Sequence, residues 1–171
     1  GKGGAAGASL MTSTCFGLVS TAGFSEALVY GANNGAHVSS NSWGYTVPSV
    51  YDSSVLSAID TAVSAGVYVV FAAGNDGTDD EWYPAYYSSS IAVAAVQDSG
   101  VVADFSNYGS WIDISAPGVA IYSTYIHDAS GDDSDDVGSN GYGYMWGTSM
   151  ACPHVSGVLA LALSLAPSVS M

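Results

Sequence analysis

The feature that most constrains the fold is an apolar run at residues 67–73, VYVVFAA, which is rich in β-branched and aromatic side chains. An uninterrupted run of this kind is typical of a β-strand that is covered on both faces. A sheet with one face in water shows alternating polar and apolar residues instead. The run therefore favours a layered α/β fold in which helices cover both sides of a sheet.

The surrounding sequence alternates helical and strand patterns. The predicted elements are two helices at 24–34 and 53–64 and three further strands at 37–42, 91–96 and 112–115. Alternation of this kind predicts a mostly parallel sheet. In such sheets, functional residues collect in the loops that follow the carboxyl ends of the strands. Here those loops begin at Ser42, at Gly74 and near Ala116.

Composition and charge exclude several kinds of protein and partner. The chain is 49% apolar and 9% charged, which argues against disorder. It carries 15 acidic residues and one basic residue, Lys2, for a formal net charge of -14. Nucleic acids and anionic membrane surfaces are bound by clustered Lys and Arg, so we expect neither partner. The longest apolar run, 158–166, is shorter than the roughly 20 residues of a membrane-spanning helix.

Two further patterns bear on metals and disulfides. Five of the 15 acidic residues lie within residues 128–136. This stretch predicts a solvated loop, and the alternative is a Ca²⁺ site, as in a calcium-responsive adhesion element, although the EF-hand spacing is missing. Cys15 and Cys152 form neither a metal-binding spacing nor a disulfide framework.

The most specific motif is the string at 147–157, GTSMACPHVSG, which leads into an apolar helix. Ser149 stands at the start of this helix, where unpaired N–H groups and the helix dipole stabilise negative charge. That position suits a nucleophilic serine and the oxyanion that its attack creates. The alternative is that Thr148 or Ser149 simply caps the helix.

This string resembles the catalytic-serine motif of the subtilisin-like serine peptidases, the subtilases. In the same order, 41–44 (NSWG) is similar to the substrate-binding strand of the family and 72–75 (AAGN) to its oxyanion-hole segment. The resemblance covers nearly the whole chain. It implies a three-layer αβα fold with a mostly parallel sheet, truncated at both ends, in which 1–171 is the central and C-terminal part of one catalytic domain.

The resemblance also implies roles for individual residues. Ser149 is the expected nucleophile of a serine endopeptidase, and Asn75 is the expected side-chain donor to the oxyanion. The expected substrate-binding residues are Ser42, Trp43, Gly44, Ala72, Ala73, Gly74 and Trp82. Many relatives have a small residue where Trp82 stands, so its indole is expected to shorten the pocket and to favour small or medium substrate side chains.

Asp113 is similar to a family position that helps to hold a weak cation, together with backbone carbonyls near Ser88 and Ser90. A carboxylate between Ile112 and Ile114 is equally explained as a buried hydrogen-bond acceptor. The implied chemistry requires no cofactor, and a structural Ca²⁺ is the one metal ion that the resemblance suggests.

A serine nucleophile needs a base, and the base needs an orienting acid. In subtilisins the order along the chain is Asp, His, Ser, and residues 5–14 resemble the strand that follows the His-bearing helix. The Asp and His are therefore expected upstream of this sequence, so the chain alone is expected to be inactive and prone to aggregate. His154 lies about 140° around the helix from Ser149, and neither His37 nor His127 belongs to a motif.

Two other functions compete with a peptidase. Gly147, Ser149 and Ala151 approximate the nucleophile elbow of α/β-hydrolases, but those enzymes place the acid after the serine. No Asp or Glu follows Ser149, so an esterase is not supported. A subtilase fold without a working triad would instead be a binding or structural module. An active peptidase implies polypeptide substrates, and the resemblance implies a secreted protein.

Overall fold

The computed structural model describes residues 5–16, 22–125, 137–138 and 141–166. The helices of this part are α1 (Ala22–Asn33), α2 (Ser53–Ser64) and α3 (Thr148–Leu165). Its strands are β1 (Val38–Asn41), β2 (Tyr68–Ala72), β3 (Ile91–Val96), β4 (Ile114–Pro117), β5 (Ile121–Thr124), β6 (Val137–Gly138) and β7 (Tyr142–Met145).

The larger sheet contains four parallel strands in the order β1-β2-β3-β4. Asn41 at the end of β1 is level with Phe71, and Ala72 at the end of β2 is level with Val93. Because all four strands run in the same direction, their carboxyl ends meet at one edge of the sheet. The loops after β1 and β2 therefore emerge side by side, as the sequence predicted.

Strand β2 forms the centre of the core. Val69 and Phe71 face one side and pack with Leu28 of α1 and Ile59 of α2. Val70 faces the other side and packs in the cluster that contains Cys152 and Val155 of α3. Each of these buried side chains contributes about 1.5–3 kcal/mol. The predicted three-layer αβα fold with a mostly parallel sheet is confirmed.

Helix α2 spans the residues that were predicted for it, 53–64, because its cap and its final turn are both local. The Asp52 carboxylate accepts a hydrogen bond from the Ser54 N–H at 2.8 Å and caps the first turn. Val55, Ala58, Ile59 and Ala62 lie on one face of the helix and are buried. The helix ends at a turn in which Gly66 has a φ of 85°.

A second, antiparallel sheet has the strand order β5-β7-β6 and was not predicted. The ring of Tyr122 in β5 stacks on Tyr142 with centroids 5.6 Å apart and lies 4.8 Å from Tyr144. Both Tyr122 and Tyr144 are half exposed. Strands β5 and β7 therefore lack the contrast between an apolar and a polar face by which a half-buried strand is detected in a sequence.

Two predicted elements are wrong in detail. The strand expected at 112–115 begins at Ile114 and continues to Pro117. Residues 5–14 form no strand, and most of their side chains are exposed. A strand needs a neighbour for its N–H and C=O groups, and β1, the edge strand, pairs only with β2 within the described residues. The acidic stretch at 128–136 lies outside the described residues.

Helix α3 is longer than the apolar run at 158–166 from which the absence of a membrane span was predicted. By length and composition alone it could cross a membrane, with 18 residues and a mean hydropathy of 1.4. Its first half packs against the sheet through Thr148, Ala151, Cys152 and Val155. Packing in a core accounts for the apolar residues of that half.

Candidate active site

The carboxyl ends of β1 and β2 and the beginning of α3 enclose a cleft of about 150 Å³. The nine residues predicted for catalysis and substrate binding all line this cleft: Ser42, Trp43, Gly44, Ala72, Ala73, Gly74, Asn75, Trp82 and Ser149. The remaining lining residues are Tyr45, Asp76, Tyr83 and Thr148. The structure thus brings together residues from four distant parts of the chain, whereas Asp113 lies elsewhere.

The side-chain amide of Asn75 is held in one orientation. Its Oδ1 accepts hydrogen bonds from the Thr148 N–H at 2.8 Å and from the Thr148 hydroxyl at 2.9 Å. With the oxygen engaged in this way, the Nδ2 group is left to donate elsewhere. Asn75 itself is exposed, while Thr148 is fully buried. The buried Thr148 therefore fixes the orientation of the exposed Asn75 side chain, including its Nδ2 donor.

Gly147 lies next to both of the expected oxyanion donors. A Cβ placed on Gly147 would lie 3.5 Å from Asn75 Nδ2 and 3.6 Å from the backbone N of Ser149. Both nitrogens therefore border the same point beside the start of α3. Gly147 also has a φ of 147°, a conformation that glycine adopts at the least cost. The Asn75 Oδ1 atom lies 3.7 Å from the same point, and an oxyanion site here stays a prediction.

Thr148 connects Asn75 to the end of β2. Its Oγ1 donates to Asn75 and accepts from the Gly74 N–H at 3.1 Å. The residue that precedes the helix is Gly147, which makes no side-chain cap. The alternative that Thr148 or Ser149 caps α3 is therefore wrong, because the Thr148 hydroxyl is used between the helix and the loop.

Asn107 supports the loop after β2 that carries Asn75. The sequence did not identify it as a site residue. It is completely buried. Its Nδ2 donates to the Ala73 carbonyl at 2.9 Å, and its Oδ1 accepts from the Asp76 N–H at 2.9 Å. A Cβ on Gly74 would overlap Asn107 Nδ2, which explains why glycine occupies that position. The loop that carries Asn75 is therefore fixed on both sides of this residue.

On the other side of the cleft, the backbone of Ser42, Trp43 and Gly44 is accessible, while the Trp43 side chain turns inward. Its indole packs against Phe71 and donates to Asn41 Oδ1 at 3.2 Å. Ser42 and Gly44 are exposed. The Ser42 hydroxyl donates to the carbonyl of Ser149 at 2.9 Å. The indole of Trp43 thus anchors the segment that follows β1, and the exposed residues on either side of it are Ser42 and Gly44.

Aromatic residues close the cleft opposite Ser149. Trp82 is half buried, and its indole N–H is buried without a hydrogen-bond partner among the described residues. Burial raises the pKa of the Tyr45 phenol above its ordinary value. Burial also raises the pKa of Tyr83, assisted by Glu81. Both phenols are neutral at neutral pH, so neither serves as a base there.

The histidines of the described part do not reach Ser149. The ring Nδ1 of His154 lies 2.8 Å from the Met150 carbonyl, on the exposed side of α3. His37 precedes β1 at the amino end of the sheet, and four residues of strand at about 3.3 Å each separate it from the cleft. His127 lies outside the described residues. No histidine in the described part of the chain is therefore placed to act as the base for Ser149.

The described residues do not form a cation site from side chains. No three His, Cys, Asp or Glu groups come together among them. Asp113 is exposed, and its Oδ2 accepts from the Ala92 N–H at 2.8 Å. It is therefore a hydrogen-bond acceptor, though not a buried one. Calcium takes about six to eight oxygen ligands, so this carboxylate does not fit such a site by itself, and cation binding there stays a prediction.

Neither cysteine forms a disulfide in the structure. Cys15 is partly buried and Cys152 is completely buried, and both are free. Burial raises the pKa of the Cys152 thiol, so the thiol remains protonated beneath the cleft.

Comparison with known proteins reveals similar sequences. Alkaline elastase YaB of Bacillus sp. (strain YaB) is 39% identical over 151 residues, which are 88% of this chain and 36% of the relative. Subtilisin Savinase of Lederbergia lenta is 40% identical over 151 residues, which are 88% of this chain and 51% of the relative. The chain thus spans about a third to a half of the length of these relatives.

Solved structures are similar as well. The structure of the prenylagaramide maturation protease PagA matches with a TM-score of 0.72 and 34% identity, over 86% of this chain and 50% of that one. The S218A mutant of the protease domain of PatA matches with a TM-score of 0.69 and 32% identity, over 84% and 49% of the two chains. The family description that matches residues 1–171 is that of the subtilase family, and the chain therefore belongs to it.

Proposed function

We propose that this chain is the nucleophile-bearing part of a serine endopeptidase that cleaves polypeptides through an acyl-enzyme on Ser149. One observation carries the proposal. The side-chain amide nitrogen of Asn75 and the backbone nitrogen of Ser149 lie 3.5 and 3.6 Å from one point, the position that a Cβ on Gly147 would take. Membership of the subtilase family and the likeness to named proteases support the same activity.

In the proposed reaction, Ser149 Oγ attacks the carbonyl carbon of the scissile peptide bond, and its proton passes to a base. The carbonyl oxygen becomes negatively charged and accepts hydrogen bonds from Asn75 and from the Ser149 N–H. The intermediate collapses as the C–N bond breaks and the amine leaves with the proton from the base. Water then hydrolyses the acyl ester by the same steps and restores the hydroxyl of Ser149.

Substrate binding follows from the two segments that border the cleft. An extended peptide adds to the backbone of Ser42–Gly44 as a further strand, which gives affinity without demanding a particular sequence. The segment Ala72–Gly74 forms the opposite side of the pocket for the residue before the scissile bond. Trp82 occupies space in this pocket, and we therefore propose a preference for small or medium side chains.

The proposal requires a base and an acid from outside the described residues. A His and an Asp encoded before this chain would complete the triad, in the order known for subtilisins. The relatives are two to three times as long as the matched part, which leaves room for such residues. We also propose that the whole protein is secreted.

The test uses the full-length protein that contains this chain. An alkyl phosphonofluoridate should label wild-type protein at Ser149, and casein should be cleaved. Both signals should be absent from Ser149→Ala and retained in Ser164→Ala, which removes a hydroxyl from the exposed side of the same helix.

Labelling or cleavage that survives in Ser149→Ala would exclude Ser149 as the nucleophile. A wild-type protein that folds but reacts with neither reagent would favour the alternative of an inactive binding or structural module. The chain of residues 1–171 alone should be inactive in both assays.

A further inference from the structure

A polar seam joins β1 to α3 beneath the cleft. The seam consists of Ser40 in β1, Ser42 just after β1, and Ser149, Cys152 and Ser156 in α3. Ser156 Oγ donates to Ser40 Oγ at 2.9 Å, and Cys152 Sγ lies 3.5 Å from the Asn41 carbonyl. The contact nearest to the cleft is the bond from the Ser42 hydroxyl to the Ser149 carbonyl, at 2.9 Å.

The Ser149 carbonyl needs a donor because of the proline that follows it. In an α-helix this carbonyl would accept from the N–H four residues later, and that residue is Pro153, which has no N–H. The Ser42 hydroxyl takes the place of the missing donor. A bond from outside the helix therefore fixes the backbone of Ser149, which an uninterrupted helix would fix by itself.

We infer that the Ser42 side chain is a positioning residue for the nucleophile, linking the Ser149 backbone to the strand on which substrate binds. This inference rests on the proposed function. The hydroxyl of Ser42 is engaged with Ser149, so it is not a group that binds substrate, and substrate contacts only the backbone of this strand. A peptide that pairs with residues 42–44 restricts the motion of this segment. Because the Ser42 hydroxyl is bonded to the Ser149 carbonyl, the backbone of Ser149 is restricted as well.

The expected kinetic signature separates positioning from binding. In the full-length protein, Ser42→Ala should lower kcat about fivefold, within the range for one net hydrogen bond, while KM changes less than about twofold. Ser42→Thr keeps the hydroxyl and should restore kcat. Ser40→Ala is the matched control, since the Ser40 hydroxyl contacts Ser156 and Cys152 and does not contact Ser149. It should leave kcat unchanged.

A second variant tests the role of the proline. Pro153→Ala supplies the missing helical N–H, so the Ser149 carbonyl no longer depends on Ser42. In that background, Ser42→Ala should lower kcat less than about twofold, and the two substitutions should be clearly non-additive.

The outcomes distinguish this inference from the proposed function. Wild-type protein without Ser149-dependent cleavage would overturn the proposed function. Active wild-type protein with an unchanged kcat in Ser42→Ala would overturn only the inference, as would equal losses in Ser42→Ala and Ser40→Ala. An equal loss in Ser42→Ala and Ser42→Thr would also contradict it, because the threonine retains the donor.

Discussion

The two sides of the cleft are built differently. The inner wall, residues 72–76 at the carboxyl end of β2, is held by two buried side chains. Asn107 bonds to it at Ala73 and Asp76, and Thr148 bonds to it at Gly74 and Asn75. The outer wall, residues 42–44 after β1, continues an edge strand and is exposed at Ser42 and Gly44. Its nearest link to the helix is the single Ser42 bond.

The difference matches two separate tasks. A donor that stabilises charge in the transition state must be in place beforehand, because reorienting it during the reaction costs free energy that offsets the stabilisation. A strand that accepts a substrate needs an open edge. The inner wall fits the first proposed task and the outer wall fits the second. Substitutions in the inner wall should therefore change kcat, and those at the outer wall should mainly change substrate binding, except at Ser42, whose side chain is proposed to position Ser149.

The largest expected effect tests the inner wall directly. Asn75→Ala should lower kcat about 10²–10³-fold with little change in KM, a magnitude known from the corresponding donor in subtilisin and adopted from there. Steady-state kinetics on a peptide amide would measure it. If KM rose and kcat stayed the same, Asn75 would contribute to substrate binding instead of to the transition state. The two walls would then not differ in the way proposed.

A smaller effect should follow from removing the support of Asn75. Thr148→Val deletes a hydroxyl that bonds to Asn75 and to the Gly74 N–H, so kcat should fall about tenfold and stability by about 1–3 kcal/mol. Thr148→Ser retains the hydroxyl and is the matched control. If both variants lose the same amount of activity, the methyl packing of Thr148 matters and its hydroxyl does not.

Substituting Trp82, in the pocket between the two walls, should change which substrates are preferred rather than the maximal rate. Trp82→Gly should raise kcat/KM for Phe or Leu relative to Ala at the position before the cleaved bond by at least about tenfold. Profiling with a peptide library would measure the change. Trp111→Phe, at an indole outside the cleft that donates to the Asp79 carbonyl, should leave the profile unchanged. A wild-type protein that already accepts Phe and Leu freely would contradict the proposed preference.

The smallest effect concerns the seam under the outer wall. Burial raises the pKa of the Cys152 thiol above its ordinary value of 9.0, so the folded state favours the protonated thiol. Stability from this group is complete below the unfolded pKa and is lost as the pH rises through the higher folded pKa. Between the unfolded and the folded pKa, wild-type protein should therefore lose unfolding free energy with rising pH faster than Cys152→Ala. Parallel pH dependences in denaturant unfolding would contradict this.

The fold could be predicted where one segment carries the whole pattern. The buried run of β2 and the apolar face of α2 are local, so the sheet and its layers follow from them. The start of β4 depends on its pairing with β3 and on Asp113, which binds the Ala92 N–H and leaves Ile114 as the first paired residue. Contacts of this kind are not visible in the sequence of the strand itself.

The candidate site shows the same division. Ser149 and Asn75 could be predicted as site residues because each belongs to a string that resembles a family motif. Asn107 and Thr148 were missed as supports because each bonds to residues far away along the chain, and no local pattern distinguishes a buried polar residue of this kind from a turn or a cap. Pro153 lies within the recognised string, but its effect on the Ser149 carbonyl depends on where β1 places Ser42.

The second half of α3 determines whether copies of the isolated chain should associate in solution. Val158, Leu161 and Leu165 are 64%, 45% and 87% exposed, so copies can adhere through this face. The formal net charge of -14 opposes that contact by repulsion. Salt reduces the range of the repulsion to about 10 Å at 0.1 M and leaves the adhesion intact. The ionic strength of the buffer should therefore decide whether the chain stays dispersed.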